Sequence, residues 1–142
     1  MNQKRKSTID PAILKKDIEN VPFIRLLRMK VVSRGENEFE IRMKVLPRMI
    51  NYFGSIHGGA VVSLIDTAVY FAIRAVLPKE KGLTTTEIKT NFFRGIREGI
   101  LSAKVRILYL VNRVAVGEAE IVDQEGRLIA KGTAGHLITR AE

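Results

Sequence analysis

Residues 51–76 of this chain read NYFGSIHGGAVVSLIDTAVYFAIRAV, and this stretch decides the fold. Between residues 60 and 77 most side chains are apolar, which predicts a long helix that is buried along most of its surface. The helix begins at two glycines, Gly58 and Gly59, and carries one carboxylate, Asp66, near its middle. Burying an unpaired carboxylate costs free energy, so a fold that keeps one there needs a reason.

The polar residues of this helix share one stripe on its surface. At 100° per residue they cover roughly 100° of the helix, and the rest of the surface is apolar. The stripe is too polar for a core and too sparse for open solvent, which predicts contact with the same helix of a second copy. Its members are Ser63, Asp66, Thr67, Tyr70 and Arg74.

The start of the helix offers a binding site for negative charge. The first amide N–H groups, near Gly58 and Gly59, have no partner within the helix and lie at the positive end of its dipole. They suit a developing oxyanion. Asp66 lies roughly 12 Å further along the axis, at 1.5 Å per residue, so one reacting carbonyl cannot contact both groups. Antiparallel packing of two copies would bring Asp66 of one chain to Gly58 of the other.

The rest of the chain has the alternation of β-strands. Residues 38–45 alternate strictly between apolar and polar, and a short helix up to about Glu19 precedes them. Four more strand patterns follow the long helix, with tight turns at residues 112–113 and 123–126. These patterns cover residues 83–93, 101–107, 114–122 and 127–138. The order predicts an α+β protein in which an antiparallel sheet wraps around one long central helix.

Composition excludes several classes of protein. The chain has 142 residues and no cysteine, which suits one domain and excludes disulfides and thiolate metal sites. With two histidines, a metal centre would need a carboxylate cluster that the sequence lacks. The N-terminus has no apolar run of a signal peptide, and the one candidate membrane span, residues 60–77, contains two charges. We therefore expect a cytoplasmic protein with no membrane span.

The formal net charge of +9 raises the question of a polyanionic partner. The basic residues are spread along the chain, and only the first six residues contain a compact basic run. No zinc-finger, RNA-binding or phosphate-loop motif is present. The charge therefore favours a solvated surface or a nucleotide-bearing ligand over nucleic acid.

The run Asn51-x-x-Gly54-x-x-His57-Gly58-Gly59, with an aspartate seven residues later, resembles the hot-dog-fold acyl-CoA thioesterases of the PaaI type. The resemblance covers roughly residues 35–138. It implies a hot-dog domain over residues 35–142, preceded by an N-terminal helix and lead-in over residues 1–34, in one domain overall. It further implies hydrolysis of acyl-CoA to a free acid and CoA, without cofactor or metal, by a homodimer or a dimer-of-dimers tetramer.

The resemblance also implies catalytic roles for four residues. Asp66 would act as nucleophile or general base on the thioester, while the backbone amide at Gly58 polarises its carbonyl. Asn51 would help to place the attacking water or the aspartate. A serine or threonine on the following strand touches that water in the family, and here this role falls to Thr85.

Five further residues are candidates for substrate binding. His57 and Gly59 would position the ester at the helix start. The cations Arg94, Arg113 and Lys131 could meet the phosphates of CoA. The Arg-Gly-Ile segment that begins at Arg94 departs from the Arg-Pro-Ala-like segment common in the family.

Plainer interpretations remain open for these residues. Asp66 could be a structural carboxylate in a hydrogen-bond network, and Asn51 could simply cap a turn. Thr85 could be only a good strand former, and the adjacent Thr84 or Thr86 could take its role. Each cation could be an ordinary surface charge.

Two other functions fit the sequence less well. A non-catalytic acyl-CoA-binding sensor or transcriptional regulator on the same fold would not need the carboxylate. A hot-dog dehydratase pairs a histidine with a carboxylate in another way, whereas His57 leads into two glycines. The second histidine, His136, lies in a predicted strand and receives no role.

Overall fold

The computed structural model describes residues 11–33 and 39–140, which form one curved antiparallel sheet around a long helix. The helices are α1 (Pro11–Glu19), α2 (Pro22–Leu26) and α3 (Gly58–Arg74), with one 3₁₀ turn at Pro47–Met49. The strands are β1 (Lys30–Ser33), β2 (Phe39–Lys44), β3 (Lys81–Phe92), β4 (Ile100–Val111), β5 (Val114–Val122) and β6 (Leu128–Arg140). Their order in the sheet is β1-β2-β4-β5-β6-β3. The predicted hot-dog architecture is confirmed.

Helix α3 packs against five strands, β2 to β6, through an apolar face that includes Leu64, Ile65 and Val69. Two glycines of the sheet allow this close approach. A methyl group on Gly117 would lie 2.6 Å from Cγ1 of Val69, and one on Gly132 would lie 3.0 Å from Cδ1 of Ile65. The helix therefore sits directly on the backbone of β5 and β6.

The side chain of Arg74 ties the end of α3 to the start of β3. Its guanidinium donates hydrogen bonds to the backbone carbonyls of Leu77, Pro78 and Lys81. The first two carbonyls lie in the turn after α3, and the third belongs to the first residue of β3. Arg74, predicted as part of a stripe facing a second copy, thus uses three of its five N–H donors within its own chain.

The structure adds elements that the sequence patterns did not predict. Strand β1 is only four residues long, too short for its alternation to be recognised, yet Val31 pairs with Ile41 of β2. Both predicted turns are confirmed, with positive φ angles at Asn112 (53°) and Gly126 (79°). The basic run near the N-terminus and the proposed boundary between residues 34 and 35 lie outside the described residues. Within the described part of the chain, no helix is long and apolar enough to cross a membrane.

Candidate active site

The carboxylate in the middle of α3 has a partner on the neighbouring edge strand. The hydroxyl of Thr85 donates a hydrogen bond to Oδ1 of Asp66 at 2.8 Å, and both side chains are half-buried. Thr84 and Thr86, the alternatives from the sequence, are exposed. The hydrogen bond explains how the helix accommodates a carboxylate, and it leaves Oδ2 of Asp66 available for other contacts.

A β-bulge brings both ends of β3 to the helix. Thr85 pairs with His136 and Phe92 pairs with Ala130, so seven steps along β3 match six along β6. The register shift lies between Thr85 and Glu87. In a regular strand, residues an odd number apart point to opposite faces, and the extra residue cancels this difference. Thr85 therefore contacts the middle of α3 while Phe92 contacts its first turn.

The first turn of α3 is capped by its own entry residue. Nδ1 of His57 accepts a hydrogen bond from the Gly59 N–H at 2.8 Å, and the His57 carbonyl accepts one from Ala60 at 3.0 Å. Gly58, as the first helical residue, has no acceptor within the helix for its N–H. The ring of Phe92 packs over Gly58, since a Cβ there would lie 3.3 Å from Cζ of Phe92.

The side chain of Asn51 organises the loop that leads into the helix. Its Oδ1 accepts hydrogen bonds from the N–H groups of Phe53 (2.9 Å) and Ser55 (3.1 Å). This is the turn-capping role that the sequence left open. The oxygen of the side chain is therefore engaged in the loop, and a catalytic contact would have to come from its NH₂ group.

Two halves of the predicted site stay apart within one chain. Gly58 and Asp66 lie on the same helix, roughly 12 Å apart along its axis. Asp66 and Thr85 form one half, and the Gly58 turn with His57 and Phe92 forms the other. One thioester carbonyl cannot reach both halves of the same protomer.

The predicted phosphate ligands lie in three different places. Arg113 lines a cavity of about 370 Å³ whose walls also include Lys81 and Arg140. Arg94 follows the end of β3 and is exposed. Lys131 lies 3.4 Å and 3.7 Å from the carboxylates of Glu120 and Glu118. Its neighbours on β6, Ala130 and Gly132, are buried, so Lys131 points to the face opposite α3.

The cavity around Arg113 lies along β3 from the Asp66–Thr85 pair, and Ile138 and Thr139 of β6 complete its walls. Lys81 and Thr85 are four residues apart on β3 and so point to the same side, roughly 13 Å from each other. Arg140 pairs with Lys81 across the sheet. The three cations thus lie at the end of the strand that carries Thr85.

His136 belongs beside the site, although the sequence assigned it no role. It is the cross-strand partner of Thr85 and is 2 % exposed, with its ring centroid 6.0 Å from that of Tyr70. Burial lowers the pKa of His136, and the nearby Asp66 carboxylate partly opposes this shift. One feature of the sequence could have indicated that His136 faces the helix. It follows Ala130, Gly132 and Ala134, the small inward-facing residues of β6, at the same two-residue spacing.

Within residues 11–33 and 39–140, no group of three or more His, Cys, Asp or Glu side chains is placed to hold a metal ion. The site described above consists of one carboxylate, one hydroxyl, the buried imidazole of His136 and the helix start that His57 caps.

The family model described as "Thioesterase superfamily" matches residues 53–130, more than half of the chain. The chain therefore belongs to the thioesterase superfamily. It is a thioester hydrolase.

Two relatives from Escherichia coli (strain K12) illustrate the range of the family. A 1,4-dihydroxy-2-naphthoyl-CoA hydrolase is 34% identical over 94 residues, which cover 66% of this chain and 69% of that protein. The medium/long-chain acyl-CoA thioesterase YigI is 27% identical over 137 residues, which cover 85% and 88%. Among solved structures, a thioesterase from Haemophilus influenzae shares the fold with a TM-score of 0.86. That match has 24% identity and covers 95% of this chain and 94% of the other.

Substitutions at Asn51 can separate its loop role from a role in catalysis. Asn51→Ala removes the acceptor for two loop N–H groups and should lower the free energy of unfolding by roughly 1 kcal/mol. Asn51→Asp keeps an acceptor oxygen but loses the NH₂ donor, so it should retain stability and lose activity. Urea denaturation and thioester hydrolysis measure the two effects. Full activity in Asn51→Asp would leave Asn51 with the loop role alone.

Proposed function

We propose that this protein is an acyl-CoA thioesterase that hydrolyses a CoA thioester to a free acid and CoA, with Asp66 as its catalytic carboxylate. The observation that carries the proposal is the 2.8 Å hydrogen bond from Thr85 to Asp66. It orients one carboxylate oxygen and leaves the other to act on water or on the ester. The cytoplasmic location stays a prediction from the sequence.

The chemistry follows from the groups in the two halves of the site. In the water route, Oδ2 of Asp66 takes a proton from a water whose oxygen attacks the thioester carbon. In the direct route, the carboxylate attacks that carbon itself and water then hydrolyses the anhydride. In both routes the Gly58 N–H stabilises the oxyanion, the C–S bond breaks, and the thiolate takes up a proton to give CoA.

The basic cavity supports a CoA ester as the substrate class. Lys81, Arg113 and Arg140 line it, and no acidic residue is among the described residues of its walls. Lys81 in its wall lies on β3 roughly 13 Å along the strand from Thr85. A phosphate-bearing arm that extends from the thioester along β3 would reach these cations. Both relatives described above act on CoA thioesters, as their names state, and neither is named as a regulator.

A second copy of the chain would complete the site. Strand β3 is twelve residues long and lies at the edge of the sheet, so its outer backbone groups can pair with another strand. Antiparallel pairing of two β3 strands brings the Thr85 end of one toward the Phe92 end of the other. Asp66 of one chain would then approach Gly58 of the other, and a two-fold axis repeats the site twice.

Exposed aromatic side chains around the helix start support this arrangement. Tyr52 is 96% exposed, Phe53 80% and Phe93 61%, and Phe92 beside Gly58 is also exposed. Such a cluster of large apolar surfaces is unusual on a monomer and indicates a partner or ligand surface. A homodimer would cover it, and the dimer-of-dimers tetramer is a further step of the same proposal.

Removing the base should abolish turnover without affecting the fold. Asp66→Asn should lower kcat by about 10²- to 10⁴-fold, because the amide keeps the shape and cannot accept the proton. Thr85→Val should lower kcat less than Asp66→Asn does, and Thr85→Ser, which keeps the hydroxyl, should have a kcat close to that of wild type. Thr84→Val, an exposed neighbour, is the matched control. Hydrolysis of acyl-CoA esters of varied chain length is followed by detection of the released thiol. If kcat of Asp66→Asn is within a few-fold of the wild-type value, Asp66 has a structural role only.

The role of the basic cavity can be measured with a truncated substrate. The S-acyl pantetheine lacks the phosphates, so we expect a higher KM than for the matching acyl-CoA, with the difference shrinking as salt rises. Arg113→Ala combined with Arg140→Ala should raise KM for acyl-CoA and leave that for the pantetheine ester unchanged. Lys30→Ala combined with Lys104→Ala, two exposed lysines on β1 and β4 outside the cavity, controls for the loss of two positive charges. Equal KM values of the wild-type enzyme for the two esters would show that the phosphates do not contribute to substrate binding.

Mixed assemblies test whether the site is shared. Asp66→Asn and Gly58→Val are each expected to be inactive, and two affinity tags allow isolation of dimers with one chain of each. Such a dimer would contain one intact site, made of Asp66 from one chain and Gly58 from the other, and should have about half the wild-type activity. If the purified mixed dimers regain no activity, Asp66 and Gly58 do not form a site shared between two chains.

A further inference from the structure

The imidazole of His136 is buried beside the Asp66–Thr85 pair with unused hydrogen-bonding capacity. The side chain is 2 % exposed, and neither ring nitrogen has a hydrogen-bond partner among the described residues. The Ala134 carbonyl lies close enough to favour the protonated ring but outside hydrogen-bonding geometry. Buried polar atoms without partners are rare in folded proteins, and each needs an explanation.

The position of the ring points to Thr85. Directly opposed residues on antiparallel strands have Cβ atoms roughly 4.5–5.5 Å apart, so the side chains of His136 and Thr85 leave the sheet next to each other. That hydroxyl gives its proton to Asp66, and its oxygen can still accept a hydrogen bond. An N–H of a neutral imidazole is a donor of the required kind, and a rotation of the ring would form this hydrogen bond, which the structure does not contain.

We infer that His136 is a positioning residue of the active site, which holds the Thr85 hydroxyl in the direction of Asp66. This inference rests on the proposed function. Substrate does not reach His136, because the ring lies below the surface, and no proton passes through it during turnover. Its contribution is to fix one orientation of the hydroxyl and, through it, of the carboxylate.

The same arrangement makes the site sensitive to acid. The groups that face the ring are Asp66 and Tyr70 from α3, Thr85 from β3 and Ala115 from β5. Burial keeps the pKa of His136 below its ordinary 6.5, so the ring is neutral near pH 7. When the pH falls through that pKa, the imidazolium places a positive charge beside Asp66 and makes the carboxylate a weaker base.

Two substitutions and a pH–rate profile test this role. His136→Leu removes both nitrogens at similar volume, and we expect its plateau kcat to fall about 10- to 100-fold, with KM little changed. Its acid limb should move to lower pH, because the titrating ring is gone. His136→Gln, which can donate but does not titrate, should recover most of the plateau and keep the lower acid limb. Ile121→Val, at a buried residue of β5 outside the basic cavity, should leave the acid limb where it is in wild type.

A titration of the imidazole gives a readout that does not depend on turnover. The pKa of His136 is followed by NMR, with the signals of His57 assigned through His57→Asn. In Asp66→Asn the pKa of His136 should fall further, because the carboxylate that raises it is lost. An unchanged pKa in Asp66→Asn would overturn the inference, even if His136→Leu failed to fold.

The failure of the proposed function can be told apart from the failure of this inference. A wild-type enzyme that hydrolyses no acyl-CoA would refute the proposed function, and the NMR titration alone would then decide whether His136 belongs with Asp66. An active wild type whose His136→Leu variant keeps its plateau kcat and its acid limb would refute only the role of His136.

Discussion

A carboxylate in the middle of a largely buried helix needs a hydrogen-bond donor, and the position of β3 supplies one. Thr85 can reach Asp66 only because β3 runs beside α3 at the edge of the sheet. Arg74 fixes the connection between the two elements by binding three carbonyls of the linking turn and the strand start. The geometry of the proposed catalytic half-site therefore depends on how the helix is joined to its neighbouring strand.

The fold was largely predictable because its main elements have strong periodic patterns. The helix is long and apolar, and β5 was predicted with the bounds that the structure gives, Val114–Val122. The short elements were not predictable, since four residues in β1 and five in α2 are too few for a period to be counted. Their positions are set by packing, as when Val31 pairs with Ile41, and not by local preference.

The residue types of the candidate site could be proposed from the sequence, and its geometry less so. Asp66, Gly58 and the threonine run were all found from sequence, but three adjacent threonines have the same strand preference. Only the register of β3 against β6 separates them, and that register includes a bulge with no local signature. His136 was missed for a similar reason, because a histidine in a strand acquires meaning only when its cross-strand neighbour is known.

The bulge in β3 has a consequence for how this protein can change over evolutionary time. Because the strand has seven steps where its partner has six, the segment between Thr85 and Phe92 contains one residue more than a regular strand needs. Many single substitutions in this segment would leave both side chains on the helix face. Deletion of that extra residue would leave six steps on each strand, so both side chains would still face the helix. The segment should therefore accept the loss of one residue as well as changes of side chain, whereas a change that keeps the length but straightens the strand would turn one of the two side chains away from the helix.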